Sequence, residues 1–223
     1  MCCQVPQLGD RLLVAPFELH DRLLQLVERE TENARRGLPA RIILKLNSLA
    51  ERKAIEALYR ASEAGVKIDL IIRGICCLKP GLKGASKNIT VRSIVDRFLE
   101  HSRVYYFENA CQPEVFVSSA DWLPRNFFRR IEVAFPIEDG VLRERLIHEV
   151  LAVSLADNAK ARELQPDASY RRVKPRTDEK PCRSQSEFMA LARSTDGGAS
   201  KGIDGKTRFP KVKLAPSPFA AAD

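Results

Sequence analysis

The chain has 223 residues, with 37 lysines and arginines against 29 aspartates and glutamates, for a formal net charge of +8. That length allows one domain with a real core plus a tail, and the positive balance favours acidic partners, phosphate-bearing molecules first among them. No apolar run approaches the roughly 20 residues that a membrane-crossing helix needs, the start Met1-Cys2-Cys3-Gln4-Val5-Pro6 lacks the pattern of a signal peptide, and the six cysteines follow neither a zinc-ligand nor a disulfide-framework spacing.

Residues 1–11 are expected to be a disordered leader. Leu12-Leu13-Val14-Ala15 is a short apolar strand closed by Pro16. From Glu18 to Arg36, Leu19, Leu23, Leu26, Val27 and Ala34 fall on one helical face, and Arg35-Arg36, Gly37 and Pro39 supply the stop. Arg41 to Leu46 is a strand-length apolar run, and Ser48-x-x-Glu51 has capping-box spacing ahead of a helix with Ala54, Ile55, Leu58 and Ala61 inward. That helix stops at Gly65, and Lys67 to Ile72 is the next strand. Strand, capped helix and strand over about 30 residues predict a right-handed crossover between parallel strands, so the fold class is α/β.

Ligands of such sheets collect beyond the carboxyl ends of the strands, which singles out Arg73 ahead of Gly74. Gly74 to Asn88, with lysines at 79, 83 and 87, is irregular; a phosphate-covering loop and an ordinary surface connection stand about even. Arg103 to Glu108 and Glu114 to Ser118 are strands joined by a hairpin-sized turn. Arg130 to Phe135 alternates, with Ile131, Val133 and Phe135 on one face and Arg130, Glu132 and Ala134 on the other. A helix from about Asp139 to Ala156 presents Leu142, Leu146, Val150 and Val153 to the core. The domain is expected to span residues 12–171, and residues 172–223, rich in proline, glycine, serine and mixed charge, to be a disordered basic tail with at most a helical turn near Ser186 to Ala192.

Chemistry-bearing groups gather between Val91 and Glu132. His101-x-Arg103 places an imidazole, able to give or take a proton near neutrality, beside a cation that can neutralise phosphoryl oxygens. Downstream, Ser118-Ser119-Ala120-Asp121-Trp122-Leu123-Pro124-Arg125-Asn126 offers hydroxyls, an amide and a guanidinium to phosphate. Its alternative is a polar turn beside a core tryptophan, and Arg129-Arg130 can equally be a solvated face. His20 and His148 are expected at the surface with no role. No Walker-type GxxxxGKS/T, zinc-ligand spacing, GxSxG or DxD pair is present, so a nucleotide here would be held by arginines and a histidine.

Three stretches in order, Ile72 to Gly81, Val91 to Arg103 and Ser118 to Asn126, resemble the C-terminal catalytic portion of bacterial polyphosphate kinases, the phosphohistidine family. The likeness also takes in Gly37 to Asn47. The resemblance implies a phospholipase-D-like sandwich, a mostly parallel sheet flanked by helices, corresponding to the second of two such domains. It implies reversible transfer of the terminal phosphoryl of ATP to polyphosphate, with magnesium accompanying ATP and no metal ligands in this chain. His101 is then catalytic; Arg73, His101, Arg103 and Arg125 contact ATP or phosphate; Ser118, Ser119 and Asn126 support them.

The implied partners are ATP or ADP, inorganic polyphosphate and the missing N-terminal, head and first catalytic domains, the last of which brings the nucleophilic histidine. A homo-oligomer is left open, and the expected location is cytoplasmic or peripheral at a membrane. The isolated chain is therefore expected to be inactive. Phe127-Phe128 stand where the family has an aliphatic residue and an acid. Two rivals remain: a phospholipase-D-type phosphodiesterase acting as a dimer, and a non-catalytic module binding polyphosphate or nucleic acid.

Overall fold

In the computed structural model the described residues are 12–197, so the expected leader and residues 198–223 of the expected tail lie outside them. The chain through Phe188 makes one compact unit; of the second, from Met189, the described part is the remainder of a helix, α6 (Ser184–Gly197).

The chain runs β1 (Leu13–Ala15), α1 (Leu19–Arg35), β2 (Arg41–Leu46), α2 (Arg52–Glu63), β3 (Lys67–Ile72), β4 (Ile89–Ile94), β5 (Val104–Phe107), β6 (Glu114–Ser118), α3 (Pro124–Phe128) and β7 (Glu132–Pro136). Then come α4 (Gly140–Arg145), a π-helical stretch (Leu146–Ala152), α5 (Val153–Ala156), β8 (Ala161–Leu164), β9 (Tyr170–Arg172) and α6. The strands form one nine-stranded sheet in the order β1-β7-β6-β5-β2-β3-β4-β8-β9.

The α/β class and the flanking helices hold, but the sheet is mixed rather than mostly parallel. Only β2, β3 and β4 run parallel to one another, while every other neighbouring pair is antiparallel. The predicted crossover from β2 through α2 to β3 is present, while the short 108–113 turn between β5 and β6 can only return the strand antiparallel.

Strand alternation splits the core in two. Ile42, Leu44, Leu46, Ile68, Leu70 and Ile72 join the cluster under α1 and α2. Ile43, Ile71, Ile94 and Val104 face the other side, where Leu151 of the π-helical stretch closes a smaller cluster.

Two local expectations need correction, and two points left open by the sequence can be described. The α2 cap is one turn later than the capping box suggests: Glu51 is itself the N-cap, its carboxylate accepting from the Lys53 and Ala54 amides, because Leu49 is occupied in bridges to Cys76 and Trp122. In the last long helix the wider π turns shift the inward face, so Leu151 is buried while Leu142 is half exposed. On β7 it is Glu132 and Ala134 that are buried, while Ile131 and Phe135 face solvent. Residues 74–88 form a connection closed on itself, with the Ser86 hydroxyl donating to the Lys79 carbonyl and Leu78 buried in the larger core cluster.

The boundary at 171 also falls too early. Beyond β9 the chain returns to the body, where Ser184 is fully buried and donates to Asp157 from both its amide and its hydroxyl. Polar composition suggested disorder, but bonds to the carboxylates of Asp157 and Asp96, with Val173 packed on the smaller cluster, order this segment.

Candidate phosphate site

The parallel strands end at Leu46, Ile72 and Ile94, and the antiparallel register brings the start of β5, the end of β6 and the start of β7 to the same edge. Segments far apart in sequence therefore deliver Asn47, Arg73, His101, Arg103 and the Ser118–Asp121 turn to one rim of the sheet. There a small cleft opens, lined by Lys45, Asn47, Ile71, Arg73, Glu100 and Ser102. Lys45 and Ile71 point away from α1 and α2, so the cleft lies on the face of the π-helical stretch.

Arg73 is half buried, and its Nε donates to Asn47 Oδ1 at 2.6 Å and to the Glu100 carbonyl at 2.7 Å. Neither terminal nitrogen of the guanidinium has a protein partner among the described residues. The following glycine is needed for close approach: a Cβ at Gly74 would lie 2.9 Å from the Asn47 carbonyl oxygen, which accepts the Gly74 amide at 2.8 Å. Gly74 thus locks the ends of β2 and β3 together beside the residue that holds Arg73.

Asn47 is tied in turn to Asp121, whose Oδ1 accepts the Asn47 amide at 2.7 Å and the Ser48 amide at 3.2 Å. Asp121 also pairs with Arg103, Nη2 to Oδ2 at 3.0 Å and Nε to Oδ1 at 3.3 Å. Burial pushes the Asp121 carboxyl up, but the Arg103 guanidinium and these amides outweigh it and hold the group below the ordinary aspartate value.

Arg103 reaches on to His101, with Nη1 2.8 Å from Nδ1. A guanidinium can only donate, so Nδ1 accepts and the neutral ring carries its proton on Nε2. His101 is exposed, and the resulting chain runs Arg73, Asn47, Asp121, Arg103, His101.

The supporting residues make a neighbouring network. Ser119 Oγ donates to Glu132 Oε2 at 2.5 Å and Asn126 Nδ2 to Glu132 Oε1 at 2.6 Å, while Ser118 Oγ donates to the Val133 carbonyl. Glu132 is the buried hub of this group, and the Asn126 Oδ1 atom is buried without a partner. Arg125 stands on the exposed side of α3, and no hydrogen bond among the described residues joins it to the Arg73–His101 chain.

Phe127 enters the core beside fully buried Trp122, and Phe128 lies edge-on to His20. His20 is not at the surface: it is buried, its Nε2 3.1 Å from Glu51 Oε2, so it steadies the α2 cap. His148 is exposed beside Glu144, as expected.

Asn47, Asp121, Glu100 and Glu132 carry this geometry and were not singled out from sequence. Asn47 was within reach, since the rule that selects Arg73 at the end of β3 selects Asn47 at the end of β2. Asp121 sits inside a recognised motif, but its partners lie 18 and 74 residues away. No local pattern carries that information.

The sequence matches the family model described as polyphosphate kinase C-terminal domain 2 over residues 12–185. A polyphosphate kinase of Neisseria meningitidis serogroup B is 53% identical over 182 residues, which is 82% of this chain and 27% of that protein. One from Burkholderia multivorans is 56% identical over 158 residues, 71% of this chain and 23% of the relative. The crystal structure of the polyphosphate kinase of Porphyromonas gingivalis superposes with a TM-score of 0.82 at 43% identity, covering 86% of this chain and 29% of that one. The chain spans about a quarter of the length of the curated relatives it matches.

Proposed function

Since the chain belongs to the polyphosphate kinase family, matching its C-terminal domain 2, we propose that it supplies the nucleotide- and phosphate-contacting part of an enzyme that reversibly moves the terminal phosphoryl of ATP to polyphosphate. The observation that carries the reading is the hydrogen-bonded chain from Arg73 to His101 along one rim. Arg73 is the phosphate clamp: its Nε is fixed by Asn47 and Glu100, and its two terminal nitrogens are left to fork onto phosphoryl oxygens. His101, with its proton on Nε2, donates toward the oxygen that gains charge as the P–O bond breaks, and Arg103 holds the ring in that tautomer.

The same tautomer disfavours a diesterase that attacks through His101, because a nucleophilic Nε2 must offer its lone pair. In this reading the attacking histidine comes instead from the family's first catalytic domain, outside the matched residues 12–185. Incubated with γ-labelled ATP, the chain alone should therefore gain no acid-labile label. With those domains restored, His101→Ala should lower kcat about 10²-fold or more, the usual worth of general-acid help, with little change in ATP affinity.

Magnesium is proposed to arrive with the nucleotide, as the family resemblance implies. None of the described helices is long and apolar enough to cross a membrane. ATP or ADP, polyphosphate and the remaining domains are the proposed partners. Cytoplasmic placement is proposed with them.

Titration with inorganic polyphosphate at two salt concentrations tests the site. Binding should weaken with salt, and Arg73→Lys should behave as a loss, because an ammonium cannot copy the fork. Lys174→Ala, on the exposed stretch after β9, should do little. Equal affinity for wild type and Arg73→Lys would overturn the clamp, and a larger loss from Lys174→Ala would point to diffuse charge attraction.

A further inference from the structure

The loop that carries His101 is poorly held by its own side chains. Val95 is 71% exposed and Leu99 75%, and Phe98 is half exposed, so apolar burial does little to fix residues 95–99, and it is the Asp96 carboxylate that is tucked in. Lys160 Nζ lies 3.9 Å from Asp96 Oδ1, and the close bonds that hold the loop come from the far end of the domain. Arg183 forks onto Asp96, Nε to Oδ2 at 2.6 Å and Nη2 to Oδ1 at 2.7 Å, and this pairing keeps the Asp96 carboxyl well below the usual aspartate range. Gln185, which is buried, pairs with Phe98 as a strand neighbour would: its Oε1 accepts the Phe98 amide at 2.8 Å and its Nε2 donates to the Phe98 carbonyl at 2.8 Å. The same Nε2 lies 3.0 Å from Glu100 Oε1.

Glu100 is the point of transfer to the site. Its Oε2 accepts from Lys45 Nζ at 2.5 Å, its carbonyl accepts from Arg73, and His101 is the next residue. The other side of the device is equally well anchored. Asp157 is fully buried, its Oδ1 accepting the amides of Ala159, Lys160 and Ala161 and its Oδ2 the amide and hydroxyl of Ser184. Asn158 Oδ1 accepts the Cys182 amide at 2.7 Å. Residues 182–185 are thus fastened to the start of β8, next to β4, and from there grip the loop that leaves β4.

We propose that Arg183 and Gln185 are positioning residues that clasp the 96–100 loop and so set the place of His101 and of the Glu100 carbonyl that holds Arg73. The segment after β9 thereby completes the phosphate site. Its consequence for phosphate binding rests on the function proposed above, whereas the clasp itself does not.

The test uses the whole chain as Gln185→Ala, Arg183→Lys and, as a control at a side chain without a role, Ser186→Ala. The ¹⁵N signals of the His101 ring report its tautomer, thermal unfolding reports the fold, and titration with inorganic polyphosphate reports the site. Gln185→Ala and Arg183→Lys should leave folding cooperative, move the ring signals from the Nε2–H pattern toward an average of tautomers, and weaken polyphosphate binding roughly tenfold, the low end of what loss of outer-shell partners does at metal sites. Ser186→Ala should match wild type in all three.

Should Gln185→Ala fail to fold, Arg183→Lys, which keeps the charge and loses the fork, gives the same reading. Ring signals unchanged from wild type in the folded variants would overturn the clasp. Altered ring signals in a chain whose wild type binds no polyphosphate would uphold the clasp and overturn the proposed function.

Discussion

Both rims of the sheet bury a carboxylate beside arginines, yet they use them differently. At the rim away from the site, fully buried Glu30 accepts the amides of Arg41 and Asn109 and lies 3.6 Å from Arg29, which also pairs with Glu114; Arg41 pairs with Asp69 at 2.6 Å. Each of those guanidinium groups faces a carboxylate. At the site rim Asp121 neutralises Arg103, but Arg73 is held by an amide oxygen and a carbonyl. A cation positioned by neutral acceptors keeps its charge for a ligand. A cation positioned by a carboxylate has already given most of it away.

The contrast breaks most sharply at Asp121. Asp121→Ala leaves Arg103 without its partner and the amides of Asn47 and Ser48 without an acceptor, and breaking a buried pair in this way costs about 3–5 kcal/mol. Urea unfolding measures it, and a loss under about 1 kcal/mol would mean that the two arms of the site are held independently. Glu30→Gln, which retains one acceptor oxygen and removes a charge that burial disfavours, should cost less, under about 2 kcal/mol for the weakened amide bonds.

Acidity sharpens the same comparison, because the two carboxyls shift in opposite directions. Burial raises Glu30 above its ordinary 4.5, so just above that value the folded chain holds the extra proton and the stability due to Glu30 falls as pH rises. Asp121 is held below its ordinary 3.8, so its contribution is present above that value and is lost as pH falls through the lowered one. Unfolding free energies of wild type, Glu30→Gln and Asp121→Asn across the carboxylate range should differ with opposite slopes, and parallel curves would refute the distinction. The smallest effect on stability belongs to Arg73→Lys, about 1 kcal/mol or less by loss of hydrogen bonds to neutral acceptors, even though its phosphate binding is expected to suffer most.

These two rims also mark how far the sequence could be read. The crossover from β2 to β3 is local, with its periodicity and its glycine stop in one window, and it led directly to Arg73. His20, Glu132 and the 182–185 segment were misread or passed over for one shared reason: each is buried through polar bonds to residues remote in the chain. Hydrophobic patterning sees only burial of apolar groups. The face of β7 shows the converse, since Ile131 and Phe135 form the apolar stripe and yet Glu132 turns inward to gather Ser119 and Asn126. That Arg73 and His101 share a site is what the family resemblance implies, whereas the Asp121 bridge between their segments needed the fold.

The two outermost strands have a consequence for how the protein behaves at high concentration. A wide sheet left open on both sides could recruit further chains by continuing its hydrogen-bond ladder. Here β1 and β9 are each only three residues long, and β9 exposes Tyr170, Arg171 and Arg172. Two such short borders offer a second copy little backbone to zip onto, and the arginines of β9 add repulsion at that end. Resistance to edge-to-edge aggregation is therefore built into the two ends of the strand order, and substituting Arg171 and Arg172 with valine should expose that protection as turbidity on concentration.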